Sequence, residues 1–528
     1  MSLPDRNNPY SFDDYLEWRN GLDYYADDPF IQRVLRRFAG AADFERLDRE
    51  ARALSKKASF PWRDAADRIS WPELRPFMRH YDGHGNRIDR IVRPSDTEKL
   101  EDEIFSQGLF SAKTPPLEKL IKMFLIYQNG ESCIACPITC TEGLVELLRK
   151  FADTPETKGI LAHCAEGLDG KFAIGAQYLS EIQGGSDVPS NLLEAEQADG
   201  AWRLYGTKFF CSATHADYAV VTAKPRGSES VALFVAPSWL PGMKEREIRN
   251  GYTIDRIKWK MGTSELTTAE LTFNGALAYP VGPLERGLAN VVGIVLTYSR
   301  LTVGLSAAAF MTRAVREASG YARFRTAFGL PIGQFPLLAG QIRDAERTAQ
   351  RTTAGAFRLY GEFLDTLKEK GSDAPEARVR SFCVRELIML QKITASGDCT
   401  DTIRTAMSVF GGHGVMEDFS CLPRLYRDSA VNELWEGPRN VLLTQVHRDF
   451  QKARAWLTPS AFVRAALPGR DESVVKALET RMTALVDHQD ILGLNEENIR
   501  VCREWDAFCG DLFHAYQDAA LALVESHA

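Results

Sequence analysis

The sequence predicts an α+β protein whose helices and strands are segregated into successive blocks. Apolar residues recur with a period of 3.6 up to about residue 165, switch to a period of two, and return to 3.6 after Pro283. Helical, β and helical stretches therefore follow one another without alternating, which argues against a doubly wound α/β sheet. In agreement, no G-x-G-x-x-G follows a strand pattern, so no Rossmann-type site is visible. The expected organisation is an N-terminal helical domain over 1–168, a middle antiparallel β domain over 169–283, a C-terminal four-helix bundle over 284–455 and a helical C-terminal extension over 456–528.

In the first block, Phe30-Ile31-x2-Val34-Leu35-x2-Phe38, Leu117-x2-Leu120-Ile121-x2-Phe124-Leu125 and Leu144-x2-Leu147-Leu148 each place their apolar residues on one helical face. Asp82-Gly83-His84-Gly85-Asn86 is a turn between helices, with His84 a turn residue. In the second block, Tyr218–Ala223 and Val231–Val235 are strands. Trp202–Gly206 is a strand leading to a Gly-Thr turn, and Thr267–Phe273 is one closed by a turn at Asn274-Gly275. The third block predicts helices over 286–328, 337–369, 376–410 and 437–455, with Lys370–Pro375 as a helix–helix connection. Pro459 and Pro468-Gly469 punctuate the helical extension. No internal repeat or low-complexity segment is present.

The composition is that of a globular protein: 45% of the 528 residues are hydrophobic and 26% are charged. A net charge of −7 disfavours a polyanion as the main partner. The polar start Met1–Asn8 carries no secretory pattern, and no run reaches the ~18 apolar residues of a membrane span. Val291–Leu296 is a short buried segment. A cytoplasmic location follows, with the ten cysteines as reduced thiols. Cys133-x2-Cys136-x3-Cys140 lacks the second ligand pair of a zinc or iron–sulfur site, so no metal is expected and these cysteines pack at a helix end.

Chemistry concentrates in a few segments. Glu433-Leu434-Trp435-Glu436-Gly437-Pro438-Arg439-Asn440 sets Glu436 in an apolar, aromatic frame directly before glycine. Partial desolvation there raises a carboxyl pKa toward neutrality, which suits a general base. Phe410-Gly411-Gly412-His413-Gly414 allows backbone to approach a ligand closely. The glycines of Glu181-Ile182-Gln183-Gly184-Gly185-Ser186-Asp187-Val188 let backbone N–H groups face phosphate or flavin oxygens.

In this order, and together with Lys208–Ser212 and Arg325-Thr326-Ala327-Phe328-Gly329, these segments resemble the acyl-CoA dehydrogenase family of FAD flavoproteins over roughly 80–455. The resemblance implies the acyl-CoA dehydrogenase-like fold and the α,β-dehydrogenation of an acyl-CoA thioester. In that reaction a base takes the α-proton, the flavin takes the β-hydride at N5, and hydrogen-bond donors stabilise the enolate oxygen. It assigns Glu436 as the base, with Leu434 and Trp435 lowering the local dielectric and Gly437 clearing the substrate's path. Ser299, before Arg300, stands where some members carry their base, so Glu436 has no rival. A Glu rather than an Asp disfavours nitroalkane oxidation. A flavin monooxygenase on the same scaffold would have no use for an α-proton base.

By the same resemblance the FAD is held by Leu179, Ser180, Gly185, Ser186, Phe210, Ser212, Arg325, Phe328, Gly411, Gly412, Trp435 and Asn440. Ser180 takes the flavin's pyrimidine edge, Phe210 replaces a stacking Trp, and Ser212 stands near N5. Arg325 binds the pyrophosphate of the FAD in a neighbouring subunit, covered by Gly411 and Gly412. The cofactor therefore lies at the interface of a homo-oligomer, dimer or tetramer. Ser186, Arg300, Glu436 and Gly437 are the expected acyl-CoA contacts, and Cys133, Thr139, Gln183 and Tyr298 line the acyl pocket. Ile182-Gln183 replaces the family's usual Pro-Gly. Electrons pass to an external carrier, electron-transfer flavoprotein.

Cys136-Pro137-Ile138-Thr139, Phe209-Phe210-x-Ser212 and Gly329–Pro336 are closest to the AidB-like branch, whose longer architecture also suits the extension. That branch supplies the alternative function: an FAD protein of little dehydrogenase turnover, DNA-associated or protective. Its DNA role resides in a basic C-terminal domain. Here Lys452–Ala528 holds eight Lys/Arg against twelve Asp/Glu, so nucleic acid is not an expected partner.

Overall fold

The computed structural model describes residues 11–526; Met1–Asn8 lies outside them, as does the side chain of Cys133. The first block contains α1 (Asp13–Gly21), α2 (Pro29–Ser59), α3 (Pro61–Ile69), β1 (Phe77–Tyr81), β2 (Arg87–Val92), α4 (Ser95–Phe105), α5 (Pro116–Tyr127), α6 (Ala135–Phe151) and α7 (Pro155–Ala165). In α2, Ile31, Val34 and Leu35 are fully buried, as their spacing predicts, and Asp28 caps the helix by accepting from the Phe30 and Ile31 N–H groups at 3.0 Å. The turn expected at Asp82–Asn86 joins two strands instead of two helices: β1 and β2 pair antiparallel, Phe77 opposite Val92.

The strand block comprises β3 (Gly175–Tyr178), β4 (Glu194–Ala198), β5 (Ala201–Ser212), β6 (Tyr218–Pro225), β7 (Ala232–Pro237), β8 (Tyr252–Ile257) and β9 (Thr268–Pro280). Among the described residues these form one seven-stranded sheet in which β6 bonds to both β4 and β7. The path β6–β4–β5–β9–β7 thus returns to β6 as a closed ring, with β3 added beside β6 and β8 beside β9. The expected purely antiparallel sheet needs correction, because β3 and β4 both pair parallel with β6. Both predicted turns inside the long strands are also wrong. β5 continues through Gly206-Thr207, and β9 runs through Asn274-Gly275. The register skips Gly275, since Tyr205 faces Asn274 and Leu204 faces Ala276. Gly275 has φ +82°, so the glycine marks a β-bulge rather than a chain reversal.

The helical remainder holds α8 (Gly287–Asn290), α9 (Leu296–Phe324), a two-residue hairpin of β10 (Thr326–Ala327) and β11 (Leu330–Pro331), α10 (Pro336–Lys368), α11 (Pro375–Phe410), α12 (Leu422–Leu434), α13 (Arg439–Ala453), α14 (Pro459–Ala466), α15 (Glu472–Asp487) and α16 (Glu496–Glu525). Four match the expected helices; α12 was not expected and adds a fifth to the bundle region. Val291–Val295 is a π-helical turn leading into α9. The helical run Leu284–Phe324 is long and apolar enough to cross a membrane by length and composition, contrary to the reading of the sequence. Its most apolar window is 72% buried inside the protein, where α9 packs against α10, α11 and α12. The extension is not a detached appendix. α16 lies against α10 and α11, and Trp505 on it is buried, donating its Nε1–H to the Leu443 carbonyl at 3.0 Å.

Candidate active site

Glu436 sits in the short loop between α12 and α13, at φ +59°, followed by Gly437 at φ +100°. Two successive left-handed residues turn the chain sharply, and the glycine is required there: a Cβ at 437 would stand 2.9 Å from Leu442 Cδ2. A left-handed Glu is costly and persists only if its surroundings hold it. They do so with two buried cations. Arg300 on α9 donates from Nε to the Glu436 carbonyl at 3.0 Å. Lys392 on α11 donates from Nζ to the carbonyls of Glu433 at 2.8 Å and Gly437 at 2.7 Å.

The residue as a whole is partly buried, yet its Oε2 atom is buried without a hydrogen-bond partner. Burial raises the Glu436 pKa, opposed by the charges of Arg300 and Lys392. Burial in turn pushes Lys392 down to about 7, against the pull of Glu436. Both groups are therefore displaced toward neutrality from opposite sides. Trp435, beside Glu436, also has a buried Nε1 lacking a partner. Trp435 lines a small cavity of about 10 Å³, bounded also by Ala135, Cys136, Thr139, Val303, Phe310 and Asn432. That is room for about one water molecule.

The β domain is fastened to this region through α12. Asp428 accepts from the Thr263 N–H at 2.7 Å and from the Glu131 N–H at 3.1 Å, linking the β8–β9 loop and the start of α6 to the helix that ends before Glu436. On the far side, Arg439 holds Asp506 of α16 through Nε at 2.7 Å. The extension thus braces the loop's exit, a role absent from the sequence reading.

Leu179 and Ser180 follow β3, and the Ser180 carbonyl accepts from the Phe209 N–H at 2.9 Å. Glu181 to Gly184 form a tight turn, and a Cβ at Gly185 would meet Ser180 Oγ at 2.4 Å. Beneath the turn Glu181 is buried against a fully enclosed Lys208, whose Nζ lies 2.8 Å from Glu181 Oε1, 3.1 Å from the Leu179 carbonyl and 3.0 Å from Thr222 Oγ1. Gly185 and Ser186 are exposed above it. On β5, Phe210 is 50% exposed, a large apolar ring left open to a partner. The ammonium of Lys258 lies 4.5 Å from its centroid and 3.2 Å from that of Phe209. The Ser212 hydroxyl is engaged with Thr268 at 3.2 Å.

Arg325, Gly411 and Gly412 come together in an open groove of about 530 Å³, with Tyr321, Ile332, Phe410 and His413 also lining it. Next to it, Phe328 and Gly329 form the turn of the β10–β11 hairpin at φ +50° and +82°, the geometry of a type I′ turn. Phe328 is 98% exposed at its tip. Asn440 is exposed in the first turn of α13.

The structure thus assembles three clusters from the predicted residues: Arg300, Trp435, Glu436 and Gly437; Leu179, Ser180, Gly185, Phe210 and Ser212; and Arg325, Gly411 and Gly412 beside Phe328. Of the expected acyl-pocket residues with described side chains, only Thr139 borders the cavity at Trp435. Tyr298 instead packs edge-on against Phe363, because α9 points it toward α10. Gln183 donates to Glu181 on the exposed turn, a consequence of the turn folding back on its own carboxylate. Lys392 and Lys208 were not predicted. Their only sequence signal is a lysine directly before apolar residues, Ile393 in one case and Phe209-Phe210 in the other.

Two descriptions of one family match the chain: the acyl-CoA dehydrogenase middle domain over residues 176–276 and the acyl-CoA dehydrogenase C-terminal domain over 285–450. Together they cover half of the sequence. Acyl-CoA dehydrogenase family member 11 of Caenorhabditis elegans is 29% identical over 501 residues, 89% of this chain and 78% of the relative. Its crystal structure in complex with C11-CoA superposes with a TM-score of 0.79 at 23% identity, covering 95% of this chain and 90% of that one. The putative acyl-CoA dehydrogenase AidB of Escherichia coli K12 is 28% identical over 399 residues, 71% of this chain and 69% of the relative. An acyl-CoA dehydrogenase from Bacillus anthracis complexed with FAD shares the fold with a TM-score of 0.64 at 16% identity, covering 92% of this chain and 89% of that one.

Proposed function

We infer the reaction from one premise: the chain belongs to the acyl-CoA dehydrogenase family of FAD flavoproteins, with the AidB-like branch among its relatives. It is an oxidoreductase that dehydrogenates the α,β bond of an acyl-CoA thioester. Glu436 takes the α-proton on Oε2. The observation that carries this reading is that this oxygen is buried and has no hydrogen-bond partner, so its lone pairs are available to a substrate C–H. Raised by burial, the carboxyl is a stronger base than one in water, while Arg300 and Lys392 keep its charged form accessible.

The residues present fit FAD. Phe210 offers an exposed apolar ring, Gly185 brings its backbone against the Ser180 hydroxyl, and Arg325 meets a glycine-lined groove. Leu179, Ser180, Gly185, Ser186, Phe210, Ser212, Trp435 and Asn440 hold the cofactor from one subunit, and Arg325, Phe328, Gly411 and Gly412 from the next. When bound, FAD supplies the acceptor for the β-hydride at N5. Ser186, Arg300, Glu436 and Gly437 border the thioester, and the N–H of Glu436 donates to its oxygen. The exposed Phe328 tip beside an open groove supports a homo-oligomer, dimer or tetramer. Electron-transfer flavoprotein is the acceptor in this reading, and the cytoplasm the location.

The 28% identity to AidB of Escherichia coli K12 supports a second reading, an AidB-like FAD protein of little dehydrogenase turnover with a DNA-associated or protective role. Anaerobic titration with acyl-CoAs of increasing chain length separates the two. Bleaching of the flavin by at least one of them within seconds supports the dehydrogenase. No bleaching by any, with a yellow protein throughout, supports the second reading. A gel shift at physiological salt then tests its DNA arm, for which the acidic extension predicts no retardation.

A further inference from the structure

We propose that Lys392 is a positioning residue for the base: its ammonium ties together the two ends of the Glu433–Gly437 turn and so fixes where the Glu436 carboxylate points. The proposal rests on the reading of Glu436 as the base, and its test has an arm that does not. The turn's carbonyls at 433, 436 and 437 are all held by side chains, two by Lys392 at 2.8 and 2.7 Å and one by Arg300 at 3.0 Å. Lys392 is wholly buried on α11, within the run Met389-Leu390-Gln391-Lys392-Ile393, where a lysine is out of place unless it has partners. Its partners are not on its own helix. They lie on the C-terminal turn of α12 and in the loop after it, so the one side chain crosses the gap that the turn must span.

The turn needs such a tie because Glu436 and Gly437 both lie at positive φ, a conformation a Glu adopts only under constraint. Arg300 alone holds the middle of the turn and leaves its two ends free. Lys392 holds the ends. Its charge also acts on the carboxylate: of the groups around Lys392, Glu436 and Glu433 on the α12 side favour the ammonium, and Arg300 on α9 opposes it. Ser396, one turn along α11, donates to the Lys392 carbonyl at 2.5 Å and to the Asn432 carbonyl at 3.3 Å, one residue before the turn, and so does not replace the bonds to the 433 and 437 carbonyls. Removing the ammonium therefore withdraws two hydrogen bonds from the backbone and one opposite charge from the base.

The experiment compares the FAD-loaded protein with Lys392→Met and Lys392→Arg by two readouts. Hydrogen exchange of peptides spanning 431–442 reports the turn without any reaction. Stopped-flow flavin reduction by an acyl-CoA between pH 5 and 9 reports the base. Lys392→Met is expected to speed exchange of the 431–442 amides by about tenfold or more, since two charge-assisted bonds are lost. It should also move the acid limb of the reduction rate upward by about one pH unit. Lys392→Arg keeps the charge but not the compact head, so the acid limb stays while exchange still rises. Unchanged exchange in both variants overturns the proposal. If Lys392→Met does not fold, Lys392→Arg alone decides by the same exchange criterion. If no acyl-CoA reduces the wild-type flavin, the assignment of the base fails, and the exchange arm still decides whether Lys392 ties the turn.

Discussion

Substituting Lys208→Met removes one half of a buried ion pair directly under the Ser180–Gly185 turn. The enclosed ammonium meets Glu181 at 2.8 Å, Thr222 Oγ1 at 3.0 Å and the Leu179 carbonyl at 3.1 Å. Methionine fills nearly the same volume, so packing changes little and the cost is electrostatic. Breaking a buried pair by deleting one partner costs about 3–5 kcal/mol, because the other charge is left uncompensated. Here Glu181 retains the N–H groups of Leu192 at 2.6 Å and Leu193 at 3.1 Å and the amide of Gln183 at 2.8 Å, which places the loss at the lower end of that range. Urea unfolding of the FAD-loaded protein measures it, and the double variant Lys208→Met/Glu181→Gln completes the cycle. Neutralising the orphaned carboxylate should return about 1–2 kcal/mol of the loss. Because Leu179 and Ser180 belong to the proposed flavin cradle, Lys208→Met should also release FAD more readily on dilution. A single variant within about 0.5 kcal/mol of the wild type, or a double variant no more stable than the single, refutes the reasoning.

Two further outcomes follow from other parts of the molecule. Burial pushes Glu386 up to about 8 despite its bond to Arg385 at 2.7 Å, with Asp449 adding to the rise. A carboxyl with a raised folded pKa contributes stability that is full below the unfolded value, 4.5, and is lost as pH climbs through about 8. Glu386→Gln should therefore gain on the wild type in urea midpoint between pH 5 and pH 8.5, and a constant difference contradicts it. Phe328→Ser should lower the assembly state seen by analytical ultracentrifugation and lower bound FAD with it, since Phe328 is 98% exposed at a hairpin tip beside Arg325. An unchanged sedimentation profile contradicts that role.

The parts legible in the sequence were those governed by local pattern. Ile31, Val34 and Leu35 announce α2 by their spacing, and the aromatic frame before Gly437 announces a desolvated Glu436. α12 was hidden because its buried face carries Arg424, Asp428 and Asn432 between Leu422, Leu425 and Ser429, which interrupts the apolar stripe. Those polar residues are buried because their partners come from α3, the β8–β9 loop and α9. The β1–β2 hairpin was missed for a related reason: it carries Arg79, Arg87 and Arg90 and buries almost nothing but Asp89, so no alternation shows. The bulge at Gly275 resembles a turn because both require glycine at positive φ. Lys208 and Lys392 find their partners elsewhere in the chain. Lys392 bonds carbonyls 41 and 45 residues away, a distance no local pattern encodes.

The central claim is that Glu436 is the base, and Glu436→Gln tests it with nearly the same shape. A positioned general base contributes about 10²- to 10⁴-fold to rate, or about 3–5 kcal/mol of barrier. Ser299, the neighbour of Arg300, has a hydroxyl donated to the Val295 carbonyl and cannot substitute. Anaerobic mixing of the FAD-loaded variant with an acyl-CoA that bleaches the wild type is the direct measurement. The variant should stay yellow over the same interval while still binding the thioester. Bleaching at a rate within a few-fold of the wild type would show that another group takes the proton.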